Sequence, residues 1–149
     1  MEYSIEEFDK AKTKVMNYIM YKKRTEYEVR NKFSKALEEN LFNDIIEYVK
    51  EAGYLSDTEY IKRTILEFKA LNNLSRKEIK YKLYSKGIES SLIEDYFSEN
   101  SDELYEYELK SAKNIFFKKQ NTMDEDEIEN YLRKKGYKEE IIKQARVEE

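Results

Sequence analysis

Several residue types that most proteins use are missing from this chain. Its 149 residues include no cysteine, no histidine, no proline and no tryptophan, and only three glycines. Without cysteine the chain has neither a disulfide nor a thiolate metal site, and without histidine it lacks the commonest general base and metal ligand. Because sheets joined by tight turns depend on glycine and proline, their scarcity predicts helices joined by short connections.

The chain also lacks the motifs of a catalytic centre. It has no glycine-rich phosphate loop and no serine–histidine arrangement. The densest acidic run, DEDE from Asp124 to Glu127, falls at a predicted helix start, where negative charge favours the helix dipole. Its spacing does not match a calcium loop. We therefore predict that the protein is not an enzyme and that it holds no cofactor and no metal.

Long apolar runs are absent as well. No segment approaches membrane-spanning length, and the first residues, MEYSIEEFDK, are too acidic and polar for a signal peptide. Together with the lack of cysteine, this predicts a cytoplasmic protein that does not contact membranes. The formal net charge of −4 argues against a simple attraction of the whole molecule to nucleic acid, which leaves local basic patches to be considered.

One segment, SRKEIKYKLYSKGIESSLIEDYF, shows how the predicted helices begin and end. Ser75 and Glu78 form a capping box, in which each side chain accepts a hydrogen bond from the backbone amide of the other residue. Ile79 and Leu83 lie four residues apart and share one helix face. Gly87 suits the left-handed conformation that ends many helices. A second apolar stripe follows, at Leu92, Ile93, Tyr96 and Phe97.

The same order of features recurs elsewhere in the chain. It appears 49 residues later in DEDEIENYLRKKGYKEEIIKQA, where Asp124 and Glu127 supply the capping box and Gly136 the stop. An earlier copy, TEYEVRNKFSKALEENLFNDIIEYV, begins with the capping box of Thr25 and Glu28. Each copy is preceded by a further amphipathic segment, so each copy predicts three helices.

The earliest copy has three extra residues before its stop. Three residues are nearly one helical turn. We therefore predict that Ala36 and Leu37 extend the middle helix of this copy along the same face. We also predict that Asn40 ends the helix in a left-handed conformation, because asparagine tolerates that conformation next best after glycine.

These copies predict an all-α, elongated array of three tandem three-helix repeats. The repeats span residues 1–54, 55–99 and 100–149. A period near 50 residues is typical of arrays whose neighbouring repeats bury a shared apolar face. The alternative is a single irregular helical bundle in which the similarity of the copies is accidental.

Three quoted stretches carry a resemblance to a known family. YKKRTEYEVRNKF, then GYLSDTEYIKR, then the Lys-Gly-Ile stop at Gly87 resemble, in this order, the RecX family of bacterial regulators of the recombinase RecA. The resemblance covers about residues 10–146. The chain departs from the family pattern at Ser56, where an aspartate is usual, and in the third repeat, where Lys134 and Lys135 replace a more arginine-rich stop.

The resemblance implies a regulator that is not an enzyme. Members of the family bind the filament that RecA forms on single-stranded DNA and restrain it, most often by lowering recombinase and ATPase activity, within recombinational DNA repair and the SOS response. The partners implied are therefore the RecA filament and, by weak direct contact, DNA. We also expect a monomer. Two alternatives stay open: a helical protein that binds nucleic acid directly, and a helical adaptor for another protein.

Charge alternates along the chain in a way that agrees with an anionic partner. Residues 10–35 hold nine basic side chains against two acidic ones, and residues 62–86 hold eight against two. Residues 89–108 hold eight acids and no base. Stacked repeats would gather this pattern into a basic side and an acidic side. The predicted partner-binding residues on the basic side are Arg24, Arg30, Lys62, Arg63, Arg76, Lys77 and Lys80.

Two tyrosines lie among these cations. Tyr81 and Tyr84 are surrounded in sequence by Lys80, Lys82 and Lys86. Rings in such positions stack on bases or pack against a protein partner, or cover the aliphatic stem of a lysine. The sequence leaves both interpretations open.

Overall fold

The fold consists of helices joined by short turns. The computed structural model describes residues 3–147, and within this range it contains nine α-helices and no strand, which confirms the predicted all-α class. The helices are α1 (Ile5–Tyr21), α2 (Glu26–Phe33), α3 (Glu39–Glu51), α4 (Asp57–Leu71), α5 (Arg76–Tyr84), α6 (Ser90–Glu99), α7 (Ser101–Lys119), α8 (Glu125–Lys135) and α9 (Glu139–Val147).

The predicted capping boxes start the middle helices. Thr25 caps α2, Ser75 caps α5 and Asp124 caps α8, and each box has both of its reciprocal hydrogen bonds. A fourth box, at Ser4 and Glu7, starts α1 and was missed in the sequence. These boxes satisfy backbone amides that have no partner inside the helix.

The predicted glycine stops are also present. Gly87 has φ +79° and Gly136 has φ +96°, both in the left-handed region. The prediction that Asn40 ends a helix in a left-handed conformation is wrong, because Asn40 lies in the first turn of α3. Within residues 3–147, the residue other than glycine that has a positive φ is Asn72. The residue that caps the start of α3 is Glu38. Its carboxylate accepts hydrogen bonds from backbone N–H groups in the first turn of that helix.

The predicted extension of the middle helix in the first repeat is also wrong. Helix α2 ends at Phe33, and residues 34–37 form turns. The backbone N–H groups of Ala36 and Leu37 both donate to the carbonyl of Phe33, so the three extra residues close a tight turn instead of adding a helical turn. Leu37 still packs against the apolar core of this part of the chain.

Backbone contacts divide the chain into two compact units. The first unit takes the chain as far as Tyr60 together with Lys86–Ile88, and the second takes Ile61–Ser85 and the chain from Glu89 onwards. The three-repeat boundaries therefore stay a prediction, and each unit is described by itself.

Each unit has its own buried apolar cluster. The cluster of the first unit is built from α1, α2 and α3, and one cluster of the second unit is built from α7, α8 and α9. The stripes predicted from the sequence are buried, including Val29 and Phe33 in the first unit and Ile128 and Leu132 in the second. Leu92 and Tyr96 are exceptions, since both are only half-buried.

A recurring joint holds the start of one middle helix against a lysine–glycine turn further along the chain. In the first unit, the Thr25 hydroxyl donates to the Lys86 carbonyl over 2.8 Å, and in the second unit the Ser75 hydroxyl donates to the Lys135 carbonyl over 2.7 Å. Thr25 and Ser75 are both fully buried. In each joint the lysine also pairs with the capping-box glutamate, Lys135 with Glu78 over 3.1 Å in the second.

The glycine of each turn lets a side chain lie directly upon it. A Cβ at Gly87 would overlap the base of the Tyr27 ring, and one at Gly136 would lie 2.9 Å from Cδ of Lys77. Both glycines therefore have two reasons to be glycine, since their backbone is left-handed and their Cα is covered.

The joint of the first unit predicts an unequal response to alanine at two left-handed glycines. Gly87→Ala should lower the free energy of unfolding by about 2–4 kcal/mol, because it adds overlap with Tyr27 to the backbone strain. Gly53→Ala is the matched control, since Gly53 has φ +82° and its Cβ would meet nothing within 4 Å. Urea denaturation of both variants measures the difference. Equal losses would contradict the joint.

Candidate functional site

Three of the seven predicted binding residues line one cleft in the second unit. Arg76, Lys77 and Lys80 project from α5 into a cleft of about 530 Å³. Helix α6, the start of α7 and the turn before α9 complete its walls, and Phe97 and Leu104 provide apolar lining. A fourth cation, Lys138, lies on this turn. We call this the Lys77–Lys138 cleft.

Arg76 occupies a structural position in this cleft. Its guanidinium donates to both oxygens of Glu108, over 3.0 Å from Nε and 3.2 Å from Nη2, and its backbone N–H donates to Glu108 over 2.6 Å. Glu108 is only 1% exposed. Because a buried carboxylate needs a partner, the charge of Arg76 is already bound inside the chain, and its assignment as a partner-binding residue stays a prediction.

Lys80 is also paired, but at the surface. Its ammonium lies 3.1 Å from Glu94 and 4.9 Å from the centre of the Phe97 ring. The Tyr84 hydroxyl donates to the other oxygen of Glu94 over 2.6 Å. The hydrogen bonds from Tyr84 and Lys80 hold the pKa of Glu94 below its usual value. Because this carboxylate is about half exposed, a partner can compete for Lys80.

Lys77 and Lys138 are the cations of the cleft that no carboxylate of residues 3–147 neutralises. Both are exposed. The aliphatic stem of Lys77 lies on Gly136, two residues before Lys138, so both lysines adjoin the same turn. Lys138 was missed in the sequence because it follows the third glycine stop, far from the basic run at 62–86. No local signal in the sequence places it beside α5, because the turn that carries it is joined to the start of α5 through the hydrogen bond from Ser75 to Lys135, 60 positions apart.

The other predicted cations do not line this cleft. Arg63 is exposed on α4. Burial raises the pKa of Tyr96, and Lys62 lies close enough to that tyrosine to oppose the increase in part. Arg24 and Arg30 belong to the first unit. The Arg24 guanidinium stacks 3.7 Å from the Tyr18 ring, and Arg30 pairs with Glu26 over 2.8 Å.

The two candidate stacking tyrosines differ. Tyr81 is 73% exposed on α5, in keeping with a ring available for contact. Tyr84 is 38% exposed, and its hydroxyl is held by Glu94, which raises the pKa of Tyr84. Tyr81 is therefore the better candidate for contact with a partner.

A network of buried polar side chains holds together the segments that border the cleft. Helix α7 contributes Tyr107 and Ser111, whose hydroxyls both donate to the Leu74 carbonyl, at 2.8 and 3.3 Å. The Ser111 hydroxyl also lies 2.5 Å from the hydroxyl of Tyr137, the residue that follows Gly136 in the chain. This network fixes the connection before α5 and the turn before Lys138 to the same helix.

Two further observations concern the described residues. Every helix within residues 3–147 is too short or too polar to cross a membrane. In the same range, no group of three or more metal-binding side chains is arranged to hold a metal ion.

The relatives that comparison with known proteins gives below share one name. No family model matches the chain. The regulatory protein RecX of Finegoldia magna is 32% identical over 150 aligned positions, which cover 95% of this chain and 72% of the relative. RecX of Clostridioides difficile is 28% identical over 147 positions, covering 94% of this chain and 68% of the relative.

Solved structures show the same fold. A crystal structure of RecX from Lactobacillus salivarius superposes with a TM-score of 0.79 at 23% identity and covers 97% of both chains. A second crystal structure of regulatory protein RecX superposes with a TM-score of 0.77 at 20% identity and covers 95% of this chain. The fold and these relatives place the chain among all-helical regulatory proteins. The chain belongs to the RecX family.

The pair of Arg76 and Glu108 predicts a contrast between two cations of the same cleft. Arg76→Leu should lower the free energy of unfolding by about 3–5 kcal/mol, because it leaves the buried carboxylate of Glu108 unpaired. Lys80→Leu is the matched control and should change stability by at most about 1 kcal/mol, since its partner Glu94 is exposed. Chemical denaturation gives both values. A tolerated Arg76→Leu would contradict the structural role.

The buried Tyr137 predicts a dependence on alkaline pH. Burial raises the pKa of Tyr137 above the value of about 10 expected in the unfolded chain. Its contribution to stability is therefore complete below pH 10 and is lost as the pH rises above it, by about 1.4 kcal/mol for each pH unit. Tyr137→Phe should show a smaller loss of stability between pH 9 and 11 than the parent chain.

A second variant separates ionisation from hydrogen bonding. Ser111→Ala removes the partner of the Tyr137 hydroxyl but keeps the titrating phenol. It should be less stable than the parent at pH 8 and should still lose stability at alkaline pH. Urea denaturation at pH 8, 9, 10 and 11 tests all three proteins. The same pH profile for Tyr137→Phe and for the parent would contradict the assignment.

Proposed function

We propose that this protein regulates the recombinase RecA by binding the filament that RecA forms on single-stranded DNA, and that binding lowers its recombinase and ATPase activity. The observation that carries the proposal is membership of the RecX family, whose relatives are named regulatory proteins. The resemblance of the motifs around Thr25, Gly53 and Gly87 to this family supplies RecA as the partner.

The second unit supports the proposal with a surface suited to an anionic partner. Lys77 and Lys138 are exposed in the Lys77–Lys138 cleft. Arg63 and Tyr81 add an exposed cation and an exposed ring on α4 and α5. We expect the protein to act as a monomer. The cytoplasmic location expected from the sequence stays a prediction.

Direct binding to nucleic acid is the competing function. Exposed lysines and an exposed tyrosine are also what a single strand uses for phosphate contact and base stacking. The two functions differ in their dependence on salt, because contacts with phosphates release counterions and weaken steeply as salt rises.

The test compares three targets. Binding of the protein is measured to single-stranded DNA, to RecA and to RecA–DNA filaments, each at two salt concentrations, together with the ATPase rate of the filaments. We expect preference for the filament and a lower ATPase rate. An unchanged ATPase rate without preference for the filament would refute the proposal. Tight and steeply salt-dependent binding to bare DNA would establish the competing function.

A further inference from the structure

The Lys77–Lys138 cleft already holds carboxylates of the chain itself. Glu108 is bound by Arg76 at the buried end, through three hydrogen bonds of 2.6 to 3.2 Å. Glu94 is bound by Lys80 and Tyr84 at the exposed side. The cleft therefore contains four cations and two carboxylates, and both carboxylates are matched.

The two remaining cations flank the turn at Gly136. The stem of Lys77 lies on this glycine, with Cδ 2.9 Å from the position that a Cβ would take, and Lys138 follows two residues later. Neither ammonium is matched by a carboxylate of residues 3–147, and both side chains line the cleft. The turn is fixed in place, because the Lys135 carbonyl accepts from Ser75 and Tyr137 is bound to Ser111.

We propose that the Lys77–Lys138 cleft receives an acidic side chain, glutamate or aspartate, from a protein partner. The proposal rests on the proposed function and deepens it, since it assigns this cleft to the protein surface of the filament and not to its DNA. Phe97 and Leu104 in the lining give the methylene groups of a glutamate apolar neighbours, while the carboxylate lies between the two ammonium groups.

The surrounding charges favour a single carboxylate over a DNA strand. A DNA strand carries one phosphate for each nucleotide, so a phosphate in the cleft is followed by further phosphates outside it. Helix α6 borders the cleft and has no basic residue, and its acids Glu94, Asp95 and Glu99 are all exposed. These acids repel a continuing phosphate backbone, whereas a lone acidic side chain in the cleft meets only Glu94 among them, and the charge of Glu94 is already matched by Lys80.

The experiment titrates the full, isotope-labelled chain and follows its backbone amide signals by NMR. The probes are the blocked tripeptides Glu-Leu-Glu and Gln-Leu-Gln and a short thymidine oligonucleotide. We expect the acidic tripeptide to shift the amides of Lys77, Gly136 and Lys138, and the Gln tripeptide to leave them unchanged. Larger shifts at these amides with the oligonucleotide than with the acidic tripeptide would overturn the proposal, as would the absence of any shift with the acidic tripeptide.

Paired variants test the two lysines. The double variant Lys77→Gln and Lys138→Gln removes both ammonium groups and keeps the first two methylene groups of each side chain. It should weaken binding of the acidic tripeptide about tenfold, since each exposed ion pair contributes up to about fivefold. The matched control replaces two exposed lysines outside the cleft lining, with Lys82→Gln and Lys143→Gln. Equal weakening by both double variants would show a non-specific charge effect and overturn the proposal.

The same variants separate this inference from the proposed function. If filaments bind and lose ATPase activity as expected but the cleft variant binds them as tightly as the control variant, the cleft assignment fails and the function stands. If the acidic tripeptide binds at the cleft but the filament is not preferred, the function fails and the site stands for another acidic protein.

Discussion

One kind of hydrogen-bonded joint fixes the start of a middle helix inside each of the two units. The side chain that caps a middle helix also donates its hydroxyl to the carbonyl that precedes a left-handed glycine, from Thr25 to Lys86 and from Ser75 to Lys135. Both hydroxyl residues are fully buried, so their bonds are made away from water, where an unmade bond carries the full desolvation penalty. The joint therefore needs a hydroxyl at one end and glycine at the other.

The two joints share the hydrogen bond from a hydroxyl to a lysine carbonyl, but different carboxylates accept from the backbone amide that follows the hydroxyl residue. In the first unit, the amide of Glu26 donates to Asp57 over 2.9 Å, while in the second the equivalent amide of Arg76 donates to Glu108. The third capping residue, Asp124, is exposed and has a carboxylate, which accepts hydrogen bonds but cannot donate one to a carbonyl. It caps α8 as Ser75 caps α5, without the group that makes the joint.

Local signals made much of the fold predictable. Capping boxes and left-handed glycines act within a few residues, so Ser75, Asp124, Gly87 and Gly136 could be assigned correctly from the sequence alone. Asn40 could not, because the turn at residues 34–37 is closed by bonds to Phe33 that other sequences with the same spacing need not form.

The candidate site was harder to predict because it depends on contacts distant in sequence. Glu108 belongs to an acidic stretch of the sequence, yet in the fold it is buried and bound by Arg76, 32 residues earlier. Counting charges along the chain therefore overstated the cations available to a partner: Arg76 and Lys80 are paired, and Lys138, outside the basic stretches, is not. Pairing in three dimensions, and not local density, determines which charges a surface offers.

Gly136 belongs both to the joint of the second unit and to the lining of the proposed binding cleft. Its missing side chain lets the Lys77 stem lie on the turn, and Lys77 and Lys138 both line the cleft. The turn itself is held by Ser75 and by the pair of Ser111 and Tyr137. The position of these two charges is therefore a consequence of the joint, and a change that loosens the joint would move the cations even where both lysines are kept.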